Sequence, residues 1–169
     1  MFEALCLLFM KPDIATNFFE RFLTQSERGS ATHDLASLGE QALPILETLF
    51  NGSAKNKFDI PYSKIGALGC GYVTVSLLKD IAKPLEQYVR KGIEDNHPYA
   101  IEAARYLPDI EEETAIALAY SLIQKHYEAS YVLVETGKDK NSKVIDIIKE
   151  YPEAIKHLEK ANAYLSKKT

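Results

Sequence analysis

Apolar residues in this chain recur at intervals of three and four along nearly its whole length, and almost nowhere do they alternate with period two. That spacing predicts helices and leaves no strand to be expected. A short apolar helix is read over the first ten residues. A second starts near Pro12 and Asp13, carries the stripe Ile14, Phe18, Phe19, Phe22 and Leu23, and ends near Gly29 and Ser30. Thr32 and Asp34 open the next, with Leu35 and Leu38 inward and Gly39 permitting a sharp turn. Residues 40–50 follow as a helix with Pro44 near its first turn, then residues 51–61 as a long polar loop, residues 62–78 as a helix rich in small residues, and residues 81–93 as its antiparallel partner. Helices over 97–107 and 111–123 are separated by Pro108-Asp109. Beyond them lie a helix over 127–136 ending at Gly137, one capped by Ser142 and reaching Tyr151, and a last one starting at Pro152.

The pattern also repeats. Residues 41–52 (QALPILETLFNG) and 81–92 (IAKPLEQYVRKG) match at a forty-residue step: Ala42 with Ala82, Pro44 with Pro84, Ile45 with Leu85, Leu49 with Val89, Gly52 with Gly92. Self-similarity at that period with helical spacing is the mark of a stacked helix-pair array. The chain of 169 residues then reads as one all-α domain, with its repeat core at about 32–123 and a helical cap over 138–169.

Charge sharpens this picture. The net charge is −4, so the basic face that phosphate contacts need is missing and broad nucleic-acid binding is not expected. The charge is uneven: residues 61–137 hold 7 basic and 11 acidic side chains, whereas 138–169 hold 8 and 5. Every Phe lies at or before Phe58 and every Tyr at or after Tyr62, which sets core aromatics in one half and aromatics suited to interfaces in the other. Cys6 and Cys70 sit apart in apolar segments with no metal or redox spacing, as reduced thiols do. The apolar run at 4–10 lacks a basic flank and a cleavage site, so a cytoplasmic protein with no membrane span is expected.

Catalytic motifs are scarce. Gly66-Ala-Leu-Gly69-Cys-Gly71 follows neither the dinucleotide nor the Walker pattern, and no strand leads into it, so the glycines are read as close helix packing. His33, His97, His126 and His157 are dispersed, and Cys70 has no neighbouring base; no metal, cofactor or nucleophile is assigned. The local anomaly is acidic. Glu94, Asp95, Glu102, Asp109, Glu111, Glu112 and Glu113 face only Arg105 within residues 94–113, with Tyr99 and Tyr106 interleaved. A solvated face is the plain reading. As a binding surface, these nine residues would steer and anchor a basic protein partner.

The segment at 32–123, with DLASLGEQALPIL, ALPILETLFNG and PYSKIGALGCGYVTVSLLKDIAKPLEQYVRKGI, resembles HEAT-like repeats and is similar to bacterial HEAT-like proteins. Some of these serve as immunity proteins beside secreted toxins, including toxins of contact-dependent growth inhibition. The resemblance implies a short α-solenoid of antiparallel helix pairs with irregular caps, monomeric when free. It further implies a bacterial toxin inhibitor that acts by stoichiometric binding and occlusion without turnover, its target a basic toxin domain such as a nuclease. A general HEAT-like interaction scaffold or adaptor is the second expectation, and a helical lyase or metal-dependent hydrolase the third. The long loop at 51–61 and the missing Ala-x-Pro at a third step depart from the repeat pattern.

Overall fold

The structure is a computed structural model that describes residues 12–167, so the short helix expected over the first ten residues, and Cys6 with it, lie outside the described residues. Among the described residues the protein is all-α: helices pack on one another and the only β feature is an isolated bridge between Lys55 and Pro61. Its contacts group into two compact units that meet at residues 82 and 83.

The first unit holds α1 (Pro12–Leu23), α2 (Arg28–Ala36), a 3-10 turn (Gly39–Gln41), α3 (Ala42–Phe50), a second 3-10 turn (Tyr62–Lys64) and α4 (Leu68–Leu78). Its core gathers Phe19, Phe22, Leu35, Ile45, Leu46, Leu49, Tyr62 and Val75, all buried. Tyr62 is fully buried and its hydroxyl donates to Glu20 Oε1 at 2.6 Å. Burial first, and that carboxylate second, push the phenol up to about 12.

Three expectations need correction here. α2 begins at Arg28, and Thr32 is a buried mid-helix residue whose hydroxyl donates to the Gly29 carbonyl, not a helix start. The helix expected over 62–78 is broken by a turn, because Gly66 takes φ +103°, a conformation that side chains rarely adopt, and α4 starts only at Leu68. Close packing holds at Gly71 and not at Gly66: a Cβ at Gly71 would lie 2.7 Å from Leu49 Cδ2, while at Gly66 the nearest atom is 4.0 Å away.

The second unit holds α5 (Glu86–Glu94), α6 (Pro98–Ala104), α7 (Glu112–Ile123), α8 (Glu128–Glu135), α9 (Ser142–Ile148) and α10 (Pro152–Leu165). Pro98 and Pro152 each open a helix, where the missing N–H has no intrahelical partner to lose. Ser142 is not the cap expected of it. Asn141 is, accepting from the Lys143 and Val144 N–H groups. Each helix packs on the one two positions along: α5 on α7, α6 on α8, α7 on α9, α8 on α10. α7 touches α5, α8, α9 and α10, and its Ala115, Ala117, Leu118, Ala119 and Leu122 are buried accordingly.

The forty-residue repeat is visible locally. Both copies run from a 3-10 segment into a helix, and the matched pairs Ala42/Ala82, Ile45/Leu85 and Leu49/Val89 are all buried. The copies differ at their ends. Pro44 lies inside the first turn of α3, whereas Pro84 lies in the 3-10 helix Lys79–Leu85, and Gly52 turns the chain at φ +76° while Gly92 is buried inside α5.

Candidate functional site

The acidic residues at 94–113 are carried by the end of α5, by α6, by the start of α7 and, for Asp95, Asp109 and Glu111, by the connections between them. Sequence proximity left Arg105 as their one cation; the folded chain supplies five more. Lys91 pairs with Asp95 (3.2 Å), Arg90 with Glu111 (3.1 Å) and Lys138 with Asp109 (3.0 Å), while Lys143 pairs with Glu112 and Lys83 donates to the Asp109 carbonyl at 2.6 Å. Arg105 binds Glu102 at 3.3 Å and Glu135 from α8. The hydrogen bond from Lys138 holds the Asp109 carboxyl below the usual range, and those from Asn141 and Lys143 do the same for Glu112. Much of the expected carboxylate surface is therefore neutralised within the molecule.

Two carboxylates are not. Glu94 and Glu113 form no hydrogen bond or ion pair among the described residues, and both line one groove of about 540 Å³ between α5 and α7. Ile93, Ile116 and Ala117 make its apolar floor; Asn96, Ser121, Gln124 and Arg90 add polar edges. Tyr120 also lines it and is half exposed. The edge is ordered: Asn96 Nδ2 donates to Gln124 Oε1 (2.5 Å), and the buried Ser121 hydroxyl is within reach of both Asn96 Oδ1 (2.9 Å) and the Ile93 carbonyl (3.1 Å). Such an arrangement offers a cation two carboxylates without an ion pair among the described residues, beside apolar side chains that take its aliphatic or aromatic stem.

One buried carboxylate sets the spacing of α5 and α7. Glu86 Oε1 accepts from the Glu111 N–H (2.6 Å) and the Thr114 hydroxyl (2.7 Å), and Oε2 pairs with Lys83 at 2.5 Å. A side chain of α5 thereby caps the start of α7, whose own N-cap, Glu111, makes no side-chain cap.

The structure brings only Glu94 and Glu113 of the nine candidate residues into the groove. Tyr99 and Tyr106 are exposed outside it, the first 5.9 Å from the His97 ring and the second with its hydroxyl 3.3 Å from Glu102 Oε1. Tyr120 and Gln124 lie beyond the acidic stretch at 94–113 from which the candidate residues were drawn. Their signal was present: Glu113, Ile116, Ala117, Tyr120 and Gln124 share one helical face, offset from Leu118 and Leu122. Among the described residues no group of His, Cys, Asp or Glu is arranged to hold a metal ion, and no helix is long and apolar enough to cross a membrane. Burial pushes the Cys70 thiol up, partly opposed by the charge of Arg28. Compared with protein-family models, with curated proteins and with solved structures, the chain matches none.

Proposed function

We propose that this chain is a non-catalytic binding protein that holds a basic segment of a protein partner in the groove between α5 and α7. One observation carries this reading: the two carboxylates of the acidic stretch that form no hydrogen bond or ion pair among the described residues line the same groove, over an apolar floor and beside an exposed tyrosine. Charged groups left unpaired around an apolar centre give steering and register, and a tyrosine supplies contact area at little entropic cost.

The setting we propose is inhibition of a secreted bacterial toxin, with occlusion of a basic active-site region as the mechanism. It rests on the resemblance of residues 32–123 to HEAT-like immunity proteins, and the packing of each helix of the second unit on the one two positions along is what a two-layered helical array requires. A photo-reactive amino acid at position 120, introduced in the cell of origin, tests both parts. The expected product is one basic polypeptide joined at that position, lost in Glu94→Lys/Glu113→Lys and toxic when expressed without this chain. A cross-link that survives the double reversal contradicts the groove, and a captured partner that is harmless alone contradicts the toxin.

A further inference from the structure

The loop at 51–61 holds an aromatic ring in the open. Phe58 is 70% exposed, the highest value of any large apolar side chain among the described residues, and Ile60 beside it is 42% exposed. The backbone beneath them is fixed. Asn56 Oδ1 accepts from the N–H groups of Phe58 (2.9 Å) and Ile60 (3.1 Å), the Asn56 N–H donates to the Ile60 carbonyl (2.9 Å), and Lys55 pairs with Asp59 at 2.8 Å. None of these bonds involves the Phe58 ring, whose neighbour is the Lys57 ammonium 5.1 Å from its centroid. An aromatic side chain shown to solvent on a loop already ordered loses little freedom when it is buried, which is how an interface anchor is built.

Charge indicates what receives it. Lys57 forms no ion pair among the described residues, so a free cation sits beside the exposed Phe58 ring. The α5–α7 groove is its complement, with Glu94 and Glu113 unpaired above Ile93, Ile116 and Ala117 in a volume that admits a benzyl group and the lysine beside it. We infer that the loop of one copy inserts Phe58 into the α5–α7 groove of a second copy, with Lys57 set against Glu94 and Glu113. The inference rests on the groove being a binding site, as proposed above, and adds an occupant present in every preparation of the chain. Each contact joins the loop of one copy to the groove of another, so copies can link one to the next. A single ring and a few exposed charges bury little area, so the association is weak, and a partner with more contacts displaces it.

Sedimentation equilibrium on the purified full chain tests this without any other partner. The wild type should show a weight-average mass that rises with concentration and falls back as salt shortens the Debye length below about 10 Å. Phe58→Ser and Glu94→Lys/Glu113→Lys should each sediment as a monomer, with helical circular dichroism unchanged because all three side chains are exposed. Mixed in equal amounts, the two variants should associate again but stop at a dimer, because the pair retains one working loop and one working groove. A wild type that stays monomeric at all concentrations overturns the inference, as does association retained in Phe58→Ser or a mixture that remains monomeric. Those results leave the cross-link from position 120 to a foreign partner unaffected, so the two readings fail separately.

Discussion

Replacing Glu86 gives a quantitative test of how the groove is held open. Its carboxylate is 2% exposed and takes two hydrogen bonds from α7, through the Glu111 N–H and the Thr114 hydroxyl, and one ion pair from Lys83. Glu86→Ala strands a backbone donor and a buried hydroxyl, each worth about 1 to 3 kcal/mol when left unsatisfied. Part of that loss is returned, because the desolvated charge disappears and Lys83, about one third exposed, can turn to water. The expected net cost is about 3 kcal/mol. Glu86→Gln keeps an oxygen for both donors and loses the charge, so it should cost about 1 kcal/mol. Urea unfolding followed by circular dichroism separates the two through their midpoints, provided the slopes stay equal. Equal costs for Ala and Gln, or a cost for Ala below about 0.5 kcal/mol, would show that Glu86 does not join α5 to α7.

Other positions make narrower predictions. Gly71→Ala should lower the melting temperature, because its Cβ would sit 2.7 Å from the buried Leu49 and 3.2 Å from the Phe50 ring, and overpacking of about 1 to 3 kcal/mol exceeds the gain in helix propensity. Gly29→Ala, with nothing within 4 Å of its Cβ, should raise it slightly. Asn141→Ala removes the acceptor for the Lys143 and Val144 N–H groups and should cost about 1 kcal/mol in urea unfolding, most of it recovered in Asn141→Ser. His97 links stability to pH: burial lowers its folded value below the ordinary 6.5, so the unfolded chain binds the extra proton. Its contribution is therefore present above about pH 6.5 and lost as pH falls through the lower folded value. His97→Gln should flatten that part of the melting-temperature profile.

Local chemistry was legible where a single residue dictates it. Proline at a helix start is seen at Pro98 and Pro152, and turns at positive φ are seen at Gly39 and Gly137. The matched repeat positions Ala42, Ala82, Leu49 and Val89 are all buried. Gly66 was hidden inside a run of small residues that reads equally well as continuous helix, and Thr32 resembled a cap because the hydroxyl that suits a helix start also bonds back within a helix, here to Gly29. The acidic stretch hid its ion pairs for a different reason. Two of its neutralising cations, Arg90 and Lys91, lie just before the stretch, but Lys138 opposite Asp109 and Lys143 opposite Glu112 sit about one helix pair away, outside any local window around residues 94–113. The basic character of residues 138–169 was their trace in the sequence. What distinguishes Glu94 and Glu113 is that neither forms a hydrogen bond or ion pair among the described residues, a property of the fold and not of either residue's neighbours.

The most direct measurement compares two double reversals against the captured partner by surface plasmon resonance. Glu94→Lys/Glu113→Lys inverts the free carboxylates of the groove, whereas Glu111→Lys/Glu112→Lys inverts carboxylates already held by Arg90 and Lys143. If the groove is the binding site, the first pair weakens binding by at least about tenfold and slows association, as loss of steering charge requires. The second pair then lowers thermal stability more than it lowers affinity. Loss of binding in the second pair with none in the first would place the partner on the outer acidic face and contradict the account.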